Sequence, residues 1–349
     1  MDSKSFCILP FKSIFVRPDG KVSPCCVAQE LNSNVNVNTH SIKEVFNCDE
    51  LKSIRKKMVS GEYPVECKSC WDRERTSSSS YRIDWNDKLG TEYQMESDGY
   101  VVPDFEFIDV RLSNLCNFKC IMCGYEFSSN HYNDAHKKLG LPKVLNIRNN
   151  FTDELKDYIS NIKYVYFAGG EPLIMNEHFQ ILEYLHKTNR DITIYYTTNL
   201  STIKFDIVDL TDMWKDFKFV EIEISLDGLY ERGESIRVGM DSQKVINNIY
   251  KLQESNIRYR ISYTVGSYNI DGIYEFLNEA KRLKIILSED DINFNNLVID
   301  HSEYSLNNLS MKDSIKFVKY LKEGMYQVET DRVKNQIRDL IAFIRHDLI

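Results

Sequence analysis

From residue 105 onward, stretches with two-residue alternation take turns with stretches of helical period. Phe105–Leu112, Tyr164–Ala168, Ile192–Thr197, Phe219–Leu226, Arg258–Val265 and Ile292–Ile299 are rich in β-branched and aromatic residues and read as six strands. Between them, apolar residues recur three and four apart: Phe179, Leu182 and Leu185; Val245, Ile249 and Leu252; Ile273, Leu277 and Ala280. Strand–helix repetition predicts a parallel sheet, because a parallel crossover needs a connection long enough for a helix. Six such units predict an α/β fold built as a partial (β/α)6 TIM-like barrel, with an open doubly wound sheet as the alternative. Two helical segments after residue 311 are expected to finish the barrel and pack against its outside.

The two faces of a strand carry different information. Val220, Ile222, Ile224 and Leu226 share one face, and Glu221, Glu223, Ser225 and Asp227 share the other. Likewise Arg258, Arg260, Ser262 and Thr264 oppose Tyr259, Ile261, Tyr263 and Val265. A strand under covering helices is apolar on its helix side. The polar faces therefore predict a ligand cavity inside the barrel, where a filled one would carry branched aliphatics. The other reading puts one or both strands at a solvated edge.

Ahead of residue 105 the pattern changes. Leu51, Ile54 and Met58 recur at helical spacing, with Lys52, Arg55, Lys56 and Lys57 on the other faces, which predicts a solvated helix or a basic contact surface. The Thr76–Ser80 run and the polar stretch to about Pro103 read as a connector. The expected organisation is a cysteine-rich unit over 1–75, a linker over 76–103 and a barrel with carboxyl-terminal helices over 104–349. A net charge of −8 over 349 residues argues against a generic nucleic-acid binder. No apolar stretch is long enough to cross a bilayer, and the first residues lack a signal peptide's apolar core, so a cytoplasmic location is expected.

The nine cysteines are 7, 25, 26, 48, 67, 70, 116, 120 and 123, all within the first 123 residues. In a reducing compartment that clustering points to metal or cluster ligation ahead of disulfides. Cys116, Cys120 and Cys123 form a C-x3-C-x2-C run followed by Gly124. Three thiolates hold three irons of a 4Fe–4S cubane and leave the fourth open to a small molecule. Structural zinc wants four closed ligands, so the run suits it poorly.

This run resembles the cluster motif of the radical S-adenosylmethionine (radical SAM) enzymes, whose open iron chelates the methionyl amine and carboxylate. The likeness extends to Ala168-Gly169-Gly170-Glu171-Pro172-Leu173 after the second strand, where that family carries a Gly-Gly-Glu-Pro motif for the methionyl amine. Physically, the glycines permit close backbone approach and a carboxylate suits an ammonium. Thr197-Thr198-Asn199 ends the third strand and Ser225-Leu226-Asp227-Gly228 ends the fourth. In similar enzymes the Ser and Asp positions lie near the ribose and methionyl portion; loop capping is the structural alternative. Arg237 resembles an arginine that pairs with the cofactor carboxylate, and Met122 sits where the family places an apolar residue against the adenine. A surface arginine and a core methionine would look the same.

The front unit resembles the auxiliary-cluster domains called SPASM and, in shorter form, twitch, although in most relatives these follow the barrel. Cys7, then Gly20-Lys-Val-Ser-Pro-Cys25, then Cys67-Lys-Ser-Cys70-Trp71 supply four thiolates, enough to close a second 4Fe–4S cluster. Cys26 could replace Cys25, and Cys48 fits neither set. A four-cysteine zinc site is the rival. The seven histidines show no paired spacing and read as surface or structural residues.

The resemblance implies an enzyme. A one-electron donor such as flavodoxin or ferredoxin reduces the first cluster, S-adenosylmethionine is cleaved to a 5′-deoxyadenosyl radical, and that radical takes hydrogen from a substrate carbon. Relatives of this kind often modify peptides or proteins, which is the substrate class expected first. A nucleotide, sugar or amino acid is the second, with Glu223 and Arg260 suited to it. A zinc- or cluster-stabilised binding module without catalysis is the third reading.

Overall fold

The structure, a computed structural model, describes residues 4–31, 34–75, 79–298 and 303–346; residues 76–78 of the expected connector and Ile299 of the sixth expected strand lie outside the described residues. The fold is mixed α/β with parallel strand pairing. The chain divides into two compact units, one of Met1–Leu115, Tyr125–Tyr195 and Phe217–Phe219, the other of Cys116–Gly124, Tyr196–Asp216 and Val220–Ile349.

In the first unit, β1 (Ser13–Val16) pairs antiparallel with β2 (Val22–Ser23) and parallel with β3 (Phe107–Val110). Strand β3 pairs parallel with β5 (Tyr164–Phe167). The register aligns Ile14, Ile108 and Val165 in one row and Phe15, Asp109 and Tyr166 in the next. The first row is buried and apolar. The second, on the opposite face, is where polar groups stand, because successive residues of a strand alternate faces. Strand β1 comes from the cysteine-rich front segment, where no strand was expected. Four residues, Ser-Ile-Phe-Val, are too few to show an alternation.

The expected helix of the front segment spans Asp49–Ser60, ended by Gly61 in the left-handed region at φ +86°. It buries Leu51, Ile54 and Met58 as expected, but it also buries Arg55 completely. The guanidinium donates to the carbonyls of Pro10 (2.7 Å), Phe46 (2.6 Å) and Gly99 (3.2 Å) and to the Asn47 side chain (3.0 Å), and lies over the Phe46 ring. So Arg55 does not belong to a solvated or basic contact face. A planar fork of donors satisfies several buried carbonyls at once, which a lysine cannot do.

A second correction concerns the connector. Residues Tyr81–Leu89 form a helix, with Ser80 accepting from the Ile83 amide at its start and Gly90 at φ +73° after its end. Trp85 stacks on Phe107 of β3 with ring centroids 3.8 Å apart, and Tyr164 of β5 meets the same indole edge-on. After β5 the helix Asn176–Thr188 buries His178, Ile181, Leu182 and Leu185. Burial pushes the His178 imidazole down to about 3, and its ring packs edge-on to Phe167, as expected for a structural histidine.

Strand β4 (Lys119–Cys120) lies in the cysteine loop of the second unit. Strand β6 (Thr193–Thr198) buries every second residue. A small hairpin, β7 (Lys204–Phe205) with β8 (Val208–Asp209), follows. Then β9 (Phe219–Ser225) pairs parallel with β11 (Arg258–Ser262), which pairs parallel with β12 (Ile292–Asn293). Strand β10 (Arg237–Val238) pairs antiparallel with β4. The helices Ser242–Glu254 and Ile273–Arg282 bury the apolar positions read from the sequence, and Met311–Gly324 and Asp331–His346 supply the two final helices.

The charged face of β9 and β11 largely pairs with itself. Glu221 takes Arg258 at 3.1 Å and Arg260 at 3.0 Å, and Glu223 accepts from the Thr197 hydroxyl at 3.1 Å.

Candidate metal centre

Four of the six thiols in the first unit border one small cavity. These are Cys7, ahead of the helix Leu9–Lys12; Cys25, just after β2; and Cys67 and Cys70, at the 3-10 turn Val65–Cys67 and in the helix Lys68–Glu74. The helical spacing of three puts Cys67 and Cys70 on one side of their turn. Leu9, Pro10, Pro24 and Met58 give the cavity apolar walls, with Cys7 and Cys70 buried and Cys25 and Cys67 half-buried.

Burial pushes the Cys7 thiol up to about 12 and raises Cys25, Cys67 and Cys70 as well, and neighbouring thiols add to the rise at Cys7, Cys25 and Cys67. Buried, mutually repelling thiols give up their protons only to a strongly cationic group. Among the described residues no three Cys, His, Asp or Glu converge at the distance a single metal ion needs. Zinc draws four sulfurs to about 2.3 Å from one point. Four thiols around one cavity would give every iron of a four-iron cubane a protein ligand.

Cys26 turns elsewhere. Its thiol faces Tyr81 and Asp109 in the first unit, with Arg111 nearby. Asp109 is 1% exposed, neither oxygen has a hydrogen-bond partner, and Arg111 Nε stands 3.6 Å away. Cys48 precedes the helix Asp49–Ser60, is buried, and does not line that cavity. Of the adjacent pair, Cys25 is the one that lines the cavity.

The Gly-Gly-Glu-Pro motif follows β5 and folds onto the backbone just ahead of Cys116. The Gly170 amide donates to Ser113 O at 3.0 Å and the Glu171 amide to Leu115 O at 2.8 Å. A Cβ on Gly170 would sit 2.1 Å from Leu115 O, and Gly169 has φ +122°. The glycines are therefore required by close approach of two chain segments, where the sequence pointed to a ligand. Glu171 is buried and caps the turn Pro172–Ile174 through the Leu173 amide at 3.0 Å.

In the second unit, the loop Cys116–Gly124 is held from two sides. Asn199 donates to the Asn117 side chain at 3.0 Å, and Asn117 donates to the Ser201 hydroxyl at 2.9 Å. The Asn199 carboxamide is thus partly spent on the loop. From the other side β10 pairs with β4, Arg237 opposite Cys120, and the Ile121 amide donates to Ile236 O at 2.9 Å. Inside the loop, the Phe118 amide points at Cys116 Sγ (3.4 Å) and the Cys123 amide closes a turn on Cys120 O (3.0 Å). Burial raises the Cys120 thiol and pushes Cys123 up to about 11, while Arg237 acts to lower both.

Asp227 is fully buried. One oxygen accepts from the Thr264 amide at 2.6 Å and the other lies 2.7 Å from Arg237 Nη2. That last contact is close but poorly aligned, so it acts as an ion pair more than as a hydrogen bond. Ser225 closes β9 half-buried, and Met122 is half-buried in the loop. Sequence reading placed Thr264 on the polar strand face but missed Asn117, Tyr81 and Asp109, which carry no spacing signal. Asp109 left one trace, a lone carboxylate in the apolar strand Phe-Ile-Asp-Val.

Residues 110–280 match the model of the radical SAM superfamily, and residues 7–71 match that of the SPASM iron–sulfur cluster-binding domain. The GTP 3′,8-cyclase of Helicobacter pylori (strain ATCC 700392 / 26695) is 28% identical over 186 residues, 52% of this chain and 53% of its own. That of Clostridium perfringens (strain SM101 / Type A) is 26% identical over 188 residues, 53% and 54% of the two chains. The chain thus spans about half the length of the curated relatives it matches. Among solved structures, anSMEcpe with bound AdoMet superposes with a TM-score of 0.44 at 21% identity, covering 63% of this chain and 60% of that one. Streptococcus suis SuiB bound to S-adenosylmethionine gives 0.40 at 16%, covering 80% and 59%. Among the described residues no helix is long and apolar enough to cross a membrane.

Proposed function

This chain belongs to the radical SAM superfamily and carries a SPASM iron–sulfur domain, and on that premise we propose that it is a cytoplasmic enzyme modifying a peptide or protein by hydrogen abstraction. Cys116, Cys120 and Cys123 would hold the cofactor-binding 4Fe–4S cluster, and Cys7, Cys25, Cys67 and Cys70 an auxiliary one. When bound, the first cluster supplies one-electron cleavage of S-adenosylmethionine to methionine and a 5′-deoxyadenosyl radical, after reduction by a flavodoxin- or ferredoxin-like donor. Four thiolates leave no iron of the second cluster open, so it suits electron transfer rather than substrate binding.

The chain's own residues orient and shield. Asn199 and Asn117 fix the cysteine loop, and Glu171 holds its turn beside residues 113–115. By the family pattern Gly169, Gly170, Glu171 and Pro172 attend the methionyl amine, Ser225 and Asp227 the ribose and methionyl portion, and Met122 the adenine. Leu9, Pro10, Pro24 and Met58 would shield the apolar side of the auxiliary site.

The observation that carries the reading is the placement of four front-segment thiols around one cavity in a chain with a three-cysteine loop. The peptide class is supported by the match to SPASM, a domain that often accompanies peptide modification. The names of the cyclase relatives favour a second reading, a nucleotide substrate.

The test is anaerobic reconstitution, iron and sulfide counting, and reduction with S-adenosylmethionine. The expected result is 5′-deoxyadenosine from the wild type and none from Cys120→Ala. An intact, reduced cluster that yields no 5′-deoxyadenosine would refute the enzyme. Deuterium transfer into 5′-deoxyadenosine from labelled GTP, and not from peptides encoded beside the gene, would decide for the nucleotide.

A further inference from the structure

The family pattern gives Arg237 to the cofactor's carboxylate, yet its donors point into the protein. Nη1 lies 3.8 Å from Cys120 Sγ, within hydrogen-bond reach of sulfur, and Nη2 lies 2.7 Å from Asp227. The side chain is 8% exposed, Asp227 is fully buried and Cys120 is 8% exposed, so no bulk water screens the three.

The backbone fixes the same arrangement independently. Arg237 is the register partner of Cys120 in the β4–β10 pair, and the Ile121 amide bonds Ile236 O. Gly239 has φ +103°, and a Cβ there would stand 3.0 Å from Asn117 O, so β10 lies close along the cysteine loop. Asp227, held by the Thr264 amide at 2.6 Å, fixes where the guanidinium can go.

We propose that Arg237 is a positioning residue for the cluster on Cys116, Cys120 and Cys123: anchored by Asp227, it donates to the Cys120 sulfur and raises the potential at which that cluster accepts an electron. The inference rests on the cluster assignment made above. Reduction adds one electron and one negative charge to the cluster–thiolate unit. A fixed cation and an N–H donor at a ligating sulfur favour the more negative state, as they do wherever hydrogen bonds to cluster sulfurs tune potentials. Lysine has one ammonium and no fork, so with Asp227 in place it cannot serve both partners equally.

The test uses the reconstituted full chain. An EPR-monitored redox titration follows the cluster signal that changes on adding S-adenosylmethionine, and equilibrium binding of S-adenosylmethionine is measured beside it. Arg237→Gln is expected to keep the wild-type iron content and to leave about tenfold less reduced cluster at a fixed potential, a shift of about 59 mV to the negative. Arg237→Lys is expected to shift the same way by less, and it decides the matter if the glutamine variant does not fold. Wild-type potential in the variants, with weakened S-adenosylmethionine binding, would return Arg237 to the cofactor and overturn the inference. Absence of the S-adenosylmethionine-sensitive signal from the wild type would instead refute the cluster assignment itself.

Discussion

Asp109 sits in the middle of β3 with both carboxylate oxygens buried and no hydrogen bond to either. Desolvation pushes it up to about 6 from the usual 3.8, against the pull of Arg111. The folded chain therefore holds this proton more tightly than the unfolded chain. Stability is unaffected below pH 4, falls between pH 4 and 6, and stays reduced above that, by about 3 kcal/mol. Asp109→Asn is expected to raise the melting temperature at pH 8 and leave it unchanged near pH 4; an equal effect at both values would contradict the burial argument. His178 acts in the opposite direction. Its folded value of about 3 lies below the usual 6.5, so stability is lost as pH falls through that interval. His178→Phe should flatten the acid limb of a stability–pH curve, and a slope identical to wild type would count against it.

Among the elements, the helix Asp49–Ser60 and the turn at Gly169–Gly170 show how single residues lock segments together. Arg55 satisfies acceptors on three separate stretches of chain. Arg55→Ala leaves those buried carbonyls unpaired and should lower the unfolding free energy by about 3 kcal/mol or more in urea titrations. A loss under about 1 kcal/mol would mean that water replaces the guanidinium. At Gly170, a methyl group meets the Leu115 carbonyl, which is backbone and cannot swing away. Gly170→Ala is expected to displace the segment leading into Cys116, costing about 2 kcal/mol in stability and reducing iron uptake by the barrel cysteines. A variant with full iron content and an unchanged melt would refute that account.

For the whole molecule the decisive quantity is iron stoichiometry. With two cubanes the reconstituted protein should carry about eight irons, and Cys25→Ser should bring that to about four while Cys26→Ser leaves it unchanged. Full iron in both variants would mean that the adjacent cysteines are interchangeable, equal loss would mean that both are needed, and zinc recovered in place of the second cluster would restore the rival ligand. Much of this architecture was legible beforehand. The helices carrying Leu182, Val245 and Leu277 were readable because their apolar faces repeat over three turns, and the strands because β-branched residues alternate. The strand Ser13–Val16 and the helix Tyr81–Leu89 were not, since one is four residues long and the other buries a tryptophan by stacking, with no apolar stripe to announce it.

The order of residues determined which chemistry is available: three thiols within eight positions, four more in the front segment, and a family motif after the second expected strand. Ligand type and local spacing are one-dimensional properties, so they survive without coordinates. Tertiary structure alone decided that Cys25 borders the cavity while Cys26 meets Asp109, that Gly170 is pressed against Leu115, and that Arg237 reaches Cys120 across 117 positions. Each of those depends on which strangers in sequence are forced into contact when water is expelled, and burial is what turns such a contact into a constraint on charge.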